Sequence, residues 1–260
     1  MKRIAVTRDV SPNIHRCQLT HLEREPISYV RAVTQHAAYR AALAELGCDL
    51  LRLPAEPNLP DSVFVEDTVI VLDGVAVLTR PGADSRKPEV PLMAHALEPY
   101  SRLLRLSGPG TLDGGDVLRL GRRLYVGLSS RSTEAGIREL AELVEPHGYL
   151  VRGTAVSGCL HLKSAVTAIG NGTVLLNPAW VHPAVFDGAD VVEVDLGEPA
   201  GANALRIGDA VIYSSAFPRT GERLRRAGIR LREVDASELA KAEGGVTCCS
   251  VILETPPEGP

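Results

Sequence analysis

Five polar side chains stand at near-constant intervals along this chain. Asp67, Asp113, His161, Asn203 and Cys248 each open an apolar stretch, and successive members lie 46, 48, 42 and 45 residues apart. The set holds one thiol, one imidazole and two carboxylates, which together can do nucleophilic chemistry. A cysteine attacks as its thiolate, and a histidine or cationic surroundings shift it toward that form. A histidine relays a proton best when a carboxylate fixes its ring. The sequence therefore offers Cys248 as nucleophile and His161, in Gly158-Cys159-Leu160-His161-Leu162-Lys163, as its acid–base partner. Asp113, in Thr111-Leu112-Asp113-Gly114-Gly115-Asp116, is the orienting acid. Each has a plainer reading alone: a free cysteine is usually a small buried apolar group, a single histidine a structural residue, an aspartate beside glycines a turn former. The regular spacing sets these five apart.

Two further acids bear on what such a site would bind. Asn58-Leu59-Pro60-Asp61-Ser62-Val63-Phe64-Val65-Glu66-Asp67-Thr68 places Glu66 and Asp67 side by side in an otherwise apolar strand. Burying two carboxylates without partners is costly, so either internal Arg or Lys neutralises them or a cationic ligand does. A planar guanidinium matches paired carboxylates best, through bidentate hydrogen bonds. Arg86 and Arg131 are placed to hold a carboxylate at the far end of such a ligand, although most arginines are solvated surface.

Positioning these groups requires a repeated module. Residues 63–72 and 75–79 read as a hairpin around Asp73-Gly74, followed by a helix near 87–98 and a strand near 102–106. The same order returns at 116–120 and 123–127, with a helix near 133–146 and a strand near 149–152. Residues 164–169 and 173–176 pair around Asn171-Gly172 and lead to a shorter helical piece. Residues 203–207 and 210–213 pair around Gly208-Asp209, before a helix near 220–227 and a strand near 229–234. At the start, residues 3–7 alternate as a strand, residues 8–27 show no periodicity, and Ser28 caps a helix stopped by Gly47. A last strand over 247–253 pairs with residues 3–7 and closes a fifth module across the termini. On a strand, Cys248 and Cys249 face opposite ways, so one faces a cavity and the other packs. Modules around an axis would aim their polar residues at a central pocket, in one domain spanning residues 1–260.

Composition excludes other classes. With 45% hydrophobic residues the chain can build a core, and its net charge of −4 comes without a basic stripe. Aromatics at 4% give no stacking platform for nucleic acid. No apolar run reaches the roughly 18 residues a membrane helix needs. The N-terminus lacks the apolar core of a signal peptide. Five cysteines without an export signal argue for reduced thiols in the cytoplasm, and Asn171-Gly172-Thr173 reads as a turn rather than a glycosylation site.

Long ordered stretches carry a resemblance: residues 58–68, 79–86, 111–117, 126–131, 160–164 and 239–251. Along nearly its whole length the chain resembles the dimethylarginine dimethylaminohydrolases, of the guanidino-group-modifying (pentein) superfamily that includes arginine deiminase. The resemblance implies an α/β fold, a five-bladed propeller with pseudo-fivefold symmetry. It also implies roles: Cys248 the nucleophile and Cys249 a packing residue, His161 the general acid–base, Asp113 its orienting acid. Glu66 and Asp67 would bind the guanidinium, Asp61 and the Ala242 carbonyl the α-amino group, Arg86 and Arg131 the α-carboxylate. The implied reaction is covalent, through an S-alkylthiouronium on Cys248 hydrolysed to a ureido product, citrulline for an arginine substrate. No metal or organic cofactor is required, and a zinc held by Cys248 and His161 would inhibit. The partner is a small-molecule guanidino substrate, not nucleic acid or membrane; the oligomeric state is left open, a homodimer included.

Three positions depart from the relatives. Lys163 stands where arginine deiminases carry an aspartate, as in the dimethylargininases. The loop His15-Arg16-Cys17-Gln18-Leu19-Thr20-His21 offers Leu19, with Gln18 as competitor, for the residue whose backbone meets the α-amino group. Glu243 replaces a common aspartate, and its extra methylene is expected to alter the space around the alkylated nitrogens. Related hydrolases of arginine or other modified arginines, and a non-catalytic binding protein of the same fold, are the alternatives.

Overall fold

The computed structural model describes residues 2–170 and 172–255. Fifteen strands fall into five sheets of three. The first module contributes β1 (Lys2–Arg8), α1 (Tyr29–Glu45) and β2 (Cys48–Leu53). The second is β3 (Val69–Leu72), β4 (Val75–Leu78), α2 (Glu89–Leu97) and β5 (Arg102–Arg105). The third is β6 (Val117–Leu120), β7 (Arg123–Leu128), α3 (Glu134–Val144) and β8 (Leu150–Ala155). The fourth has the one-turn α4 (Leu162–Ala165), β9 (Val166–Ala168), β10 (Thr173–Leu176) and β11 (Asp190–Glu193), with a 3-10 turn at Pro183–Val185 as its crossover. The fifth runs β12 (Ala204–Ile207), β13 (Ala210–Ser214), α5 (Pro218–Arg226) and β14 (Arg230–Val234). After α6 (Ser237–Ala240) comes β15 (Val251–Thr255).

Every sheet is wired alike: the first strand pairs antiparallel with the middle one, which pairs parallel with the third. A tight hairpin serves the antiparallel step and a crossover the parallel one. In the β3–β4 hairpin, Leu72 faces Val75 and Gly74 takes φ +80°, the left-handed conformation a two-residue loop needs. The chain termini make the remaining sheet, where β15 runs antiparallel to β1 with Val6 opposite Val251, and β1 pairs parallel with β2. Residues of β3, β6, β9, β12 and β15 all line one cavity of about 330 Å³. The innermost strands therefore surround a common axis, as five propeller blades do.

Helices cover the outer faces. Ser28 accepts the Arg31 N–H at the start of α1, and Gly47, at φ +87°, follows its end. Ala32, Tyr39 and Leu43 of α1 pack with Val63, Phe64, Val246 and Cys249 in the cluster beneath the Cys248 segment. A full Leu burial such as that of Leu43 contributes roughly 1.5–3 kcal/mol.

Two expected strands begin late. Residues 65–68 form a 3-10 turn, not strand: the Thr68 hydroxyl donates to the Val65 carbonyl at 2.7 Å, a local bond that competes with sheet pairing. Residues 246–249 are turn, and the strand starts at Val251; Cys248 N–H bonds Gly245 O, and Thr247 N–H is drawn to the Asn203 side chain. Cys248 and Cys249 still part, the first half-buried and the second buried, but by a turn rather than a strand pleat. Asn171 of the fourth hairpin lies outside the described residues. No helix of the described residues is long and apolar enough to cross a membrane.

Candidate active site

The turns that precede the inner strands carry the chemistry. Asp67 lies in the 3-10 turn before β3, Asp113 precedes the 3-10 turn Gly114–Asp116 before β6, and His161 caps α4. These turns meet at the axis. His161 Nε2 lies 3.1 Å from Asp113 Oδ2, and its Nδ1 lies 3.8 Å from Asp67 Oδ1. The meeting needs Gly115: a Cβ there would sit 2.6 Å from His161 Nδ1 and 2.5 Å from Asp67 Oδ1. The Gly115 N–H donates to that Asp67 oxygen at 2.9 Å. A third buried acid, Asp116, accepts the Ser129 and Ser132 hydroxyls and the Leu162 N–H, at 2.6, 2.6 and 2.9 Å. The last bond fixes the turn that carries His161.

The acids decide the charge of the imidazole. Burial opposes its protonation, but Asp67, Asp116 and Asp113 outweigh it and raise the pKa to about 9. Burial also works against ionised Asp67, yet His161 and Arg86 hold that carboxyl below its usual range. Asp116 is raised by burial.

Cys248 lies within electrostatic reach of Glu66 and Asp67. Its sulfur accepts the Gly245 N–H at 3.3 Å. Burial first, then Glu66 and Asp67, push the thiol up to about 12. Asp67 thus acts on both Cys248 and His161. Glu66 is tied to the cysteine turn twice: its N–H donates to Cys248 O at 3.2 Å, and it accepts the Thr247 hydroxyl at 2.7 Å. Asn203 braces that turn, donating to Thr247 Oγ1 and Lys163 O at 3.0 Å each and accepting the Thr247 N–H at 3.1 Å. Of the five spaced residues, Asp67, Asp113 and His161 therefore meet directly, Cys248 lies within electrostatic reach of Asp67, and Asn203 braces the cysteine turn.

Both paired acids already have internal cations. Lys163 Nζ donates to Glu66 at 2.5 Å, and Arg86 pairs with Asp67. Arg86 is the clearest departure from expectation. It is not an open clamp but a buried guanidinium, bonded to Asp67, Glu89 and the Phe64 and Asp61 carbonyls, with one Nη1 proton outside these bonds. The reason is burial, which forces a charged group to spend its donors on whatever acceptors surround it. Arg131 is freer. Its Nη2 donates to Thr20 Oγ1 at 3.1 Å, and its Nη1 stands 3.9 Å from Asp113. Six carboxylates (Asp61, Glu66, Asp67, Glu89, Asp113 and Asp116) face four cations: Arg86, Arg131, Lys163 and protonated His161. Acids thus outnumber these cations, while burial pushes Asp61, Glu89 and Asp116 toward their neutral forms and Arg8 also acts on Glu89.

The loop over residues 17–27 crosses this site. Asp61, buried and raised by burial, accepts the Gln18 N–H at 3.1 and 3.2 Å. Leu19 packs against the first-module core, and Ala242 is buried. The backbone that reaches Asp61 is thus that of Gln18, the competitor to Leu19. Glu243 joins the loop to the segment that leads to Cys248. Its carboxylate takes the backbone N–H groups of Thr20, His21 and Leu22, since adjacent backbone donors with no partner of their own suit an anion. Asp67, Asp113 and His161 present ligand atoms within 4.8 Å of one another, but a metal would first have to displace the imidazole proton those acids retain.

Sequence reasoning missed Glu89, Asp116 and Thr247. Glu89 was detectable as the acid three residues past Arg86 at a helix start, and Asp116 as the second acid flanking the paired glycines. Thr247 gave no signal beyond its place beside Cys248.

No family model matches the chain. Among known proteins, it is 39% identical over 252 residues to N(G),N(G)-dimethylarginine dimethylaminohydrolase of Streptomyces coelicolor, covering 96% of each chain. It is 34% identical over 225 residues to the protein of the same name from Pseudomonas aeruginosa, covering 86% of this chain and 89% of that one. Among solved structures, it is similar to DDAH from Pseudomonas aeruginosa, a cysteine-to-serine mutant complexed with citrulline. The TM-score is 0.93 at 31% identity, over 97% of this chain and 100% of that one.

Proposed function

The chain belongs to the dimethylarginine dimethylaminohydrolase family, and we propose that it hydrolyses Nω-methylated L-arginine to L-citrulline and the methylamine through a covalent intermediate on Cys248. One observation carries the assignment of roles: His161 stands 3.1 Å from Asp113 and 3.8 Å from Asp67, while Glu66, adjacent to Asp67, is bonded to the turn that holds Cys248, so that Asp67 acts on both reacting groups.

The resting pair is a neutral thiol and an imidazolium. A guanidinium seated against Glu66 and Asp67 would neutralise the charges that help hold the thiol up, so the substrate itself favours the thiolate, the thiol proton passing to solvent because His161 already carries its own. The thiolate attacks the guanidinium carbon. His161, held protonated, donates to the departing amine, since an amide anion is not a viable leaving group. The proton then leaves His161 facing a planar thiouronium, and the neutral ring activates water on the same face. Collapse returns the thiol and releases the ureido product. Asp113 keeps the ring aimed throughout. At the other end, Asp61 and the carbonyl of Ala242 would take the α-amino group and Arg131 the α-carboxylate, with the single spare Nη1 proton of Arg86 assisting. Residues 1–260 form one hydrolase unit in this reading, with a small-molecule guanidino substrate as its partner.

Steady-state kinetics on dimethylarginine, monomethylarginine, arginine, hydroxyarginine and agmatine tests the proposal. The methylated arginines should give the highest kcat/KM, with citrulline as product. Citrulline from none of them would overturn it, and a preference for arginine would reassign the substrate.

A further inference from the structure

Glu243 stands between the cysteine turn and the loop over the site. It is the one non-glycine residue with positive φ among the described residues, at +59°. A side chain in that region persists only where its surroundings hold it, and such positions cluster at clamps and functional sites. Here the holding groups are visible. The Glu243 carboxylate accepts the Thr20 N–H at 3.0 and 3.1 Å, the His21 N–H at 2.6 Å and the Leu22 N–H at 2.7 Å. It is the hydrogen-bond acceptor of all three. The same loop reaches Asp61 through the Gln18 N–H and Arg131 through the Thr20 hydroxyl. On the other side, Glu243 directly follows Ala242 and lies five residues before Cys248. One strained residue thus links the reacting segment to the loop that touches both groups meant for the amino-acid end.

We propose that Glu243 is a positioning residue: it latches the loop over the site and sets the register in which that loop meets the α-amino and α-carboxylate ends of the substrate. The inference rests on the reading of the substrate as an arginine derivative. The chemistry requires an anion. All three N–H groups converge on Oε1, and the Thr20 N–H also meets Oε2; a glutamine would keep one oxygen but lose the charge that lets it hold three donors, and would turn its own N–H₂ group against the Thr20 N–H. Aspartate keeps the charge but is one methylene shorter, so it should recover part of the effect.

The test pairs amide hydrogen exchange with kinetics on the full chain. Glu243→Gln removes the charge. Glu243→Asn removes the latch while suiting the left-handed backbone, which separates latching from folding. In both, exchange at Thr20, His21 and Leu22 should quicken by ~10-fold or more, and KM for methylated arginine should rise ~10- to 100-fold with kcat within ~3-fold. Glu243→Asp should lie between. Unchanged exchange overturns the latch, as does a fall in kcat with KM unchanged. The exchange readout needs no turnover, so if the unaltered protein released no citrulline, the substrate reading would fail and exchange alone would decide the latch.

Discussion

Two cysteine–histidine neighbourhoods meet at the Cys248–Cys249 peptide, and they treat the same side chains in opposite ways. On the axial side, Cys248 is half-buried and shares one acid, Asp67, with His161. On the helical side, Cys249 is buried, its thiol directed at Gly245 O at 3.5 Å, and its backbone lies by His36 of α1. His36 has an Arg40 nitrogen 3.3 Å from Nδ1, the Tyr39 ring stacked at 5.9 Å, and no hydrogen bond at Nε2. Burial and then Arg40 lower its pKa to about 4, where three carboxylates raise that of His161 to about 9. Both rings are buried, so burial alone does not separate them. The carboxylates do: a charged imidazole can be kept only where counter-charges outweigh desolvation.

The sharpest break of the comparison is at the sulfurs. Cys248→Ser should lower kcat by about four orders of magnitude or more, while Cys249→Ser should retain most of it, read as citrulline release. Equal losses would mean that the two sides are not chemically distinct. Asp113→Asn comes next. It leaves an acceptor at 3.1 Å from His161 Nε2 but removes its charge, and a loss of ~10²–10⁴ in kcat is expected by analogy with other oriented imidazoles. A loss below tenfold would show that Asp113 merely fills space.

Asp116→Asn probes the same contrast more gently. It leaves the contacts of Asp67 and Asp113 in place and removes one of the charges that keep His161 protonated. The alkaline limb of the kcat/KM–pH profile should move to lower pH, with up to ~10-fold less activity on that limb. An unmoved limb would assign Asp116 only to holding Ser129, Ser132 and the Leu162 N–H.

How far the sequence could be read follows from the same physics. The module order was legible because hairpin turns such as Asp73-Gly74 and strand–helix alternation are local signals. Cys248, His161 and Asp113 were legible because each stands a few residues before an inner strand, so chain position alone placed them near an axis. Arg86 was not, since a basic residue after a hairpin looks the same whether its donors meet solvent or Asp67 and Glu89. Glu243 escaped for a related reason. Its partners are backbone N–H groups more than two hundred residues away, and backbone donors leave no trace in side-chain identity.

The smallest expected effect on turnover, and the one that tests the comparison from its silent side, is at His36. The unfolded chain protonates this histidine near 6.5, and the folded chain only near 4. Between those values the unfolded state binds more protons, so stability falls as pH drops through that window. Two and a half pH units correspond to about 3 kcal/mol, to order of magnitude. His161 has the opposite sign: raised to about 9, it contributes stability in full below 6.5, which is lost as pH rises toward 9. His36→Phe keeps a ring against Tyr39 and removes the titration. Citrulline release near pH 7.5 should stay within ~2-fold of the unaltered protein, because the neighbours of His36 are Arg40, Tyr39 and the Cys249 backbone and not the acids around His161. Urea midpoints measured from pH 4.5 to 9 should show a flatter acid limb and an unchanged alkaline one. If the acid limb kept its slope, the buried imidazole beside Cys249 would not be neutral, and the counter-charge account of the two histidines would fail at its simpler half.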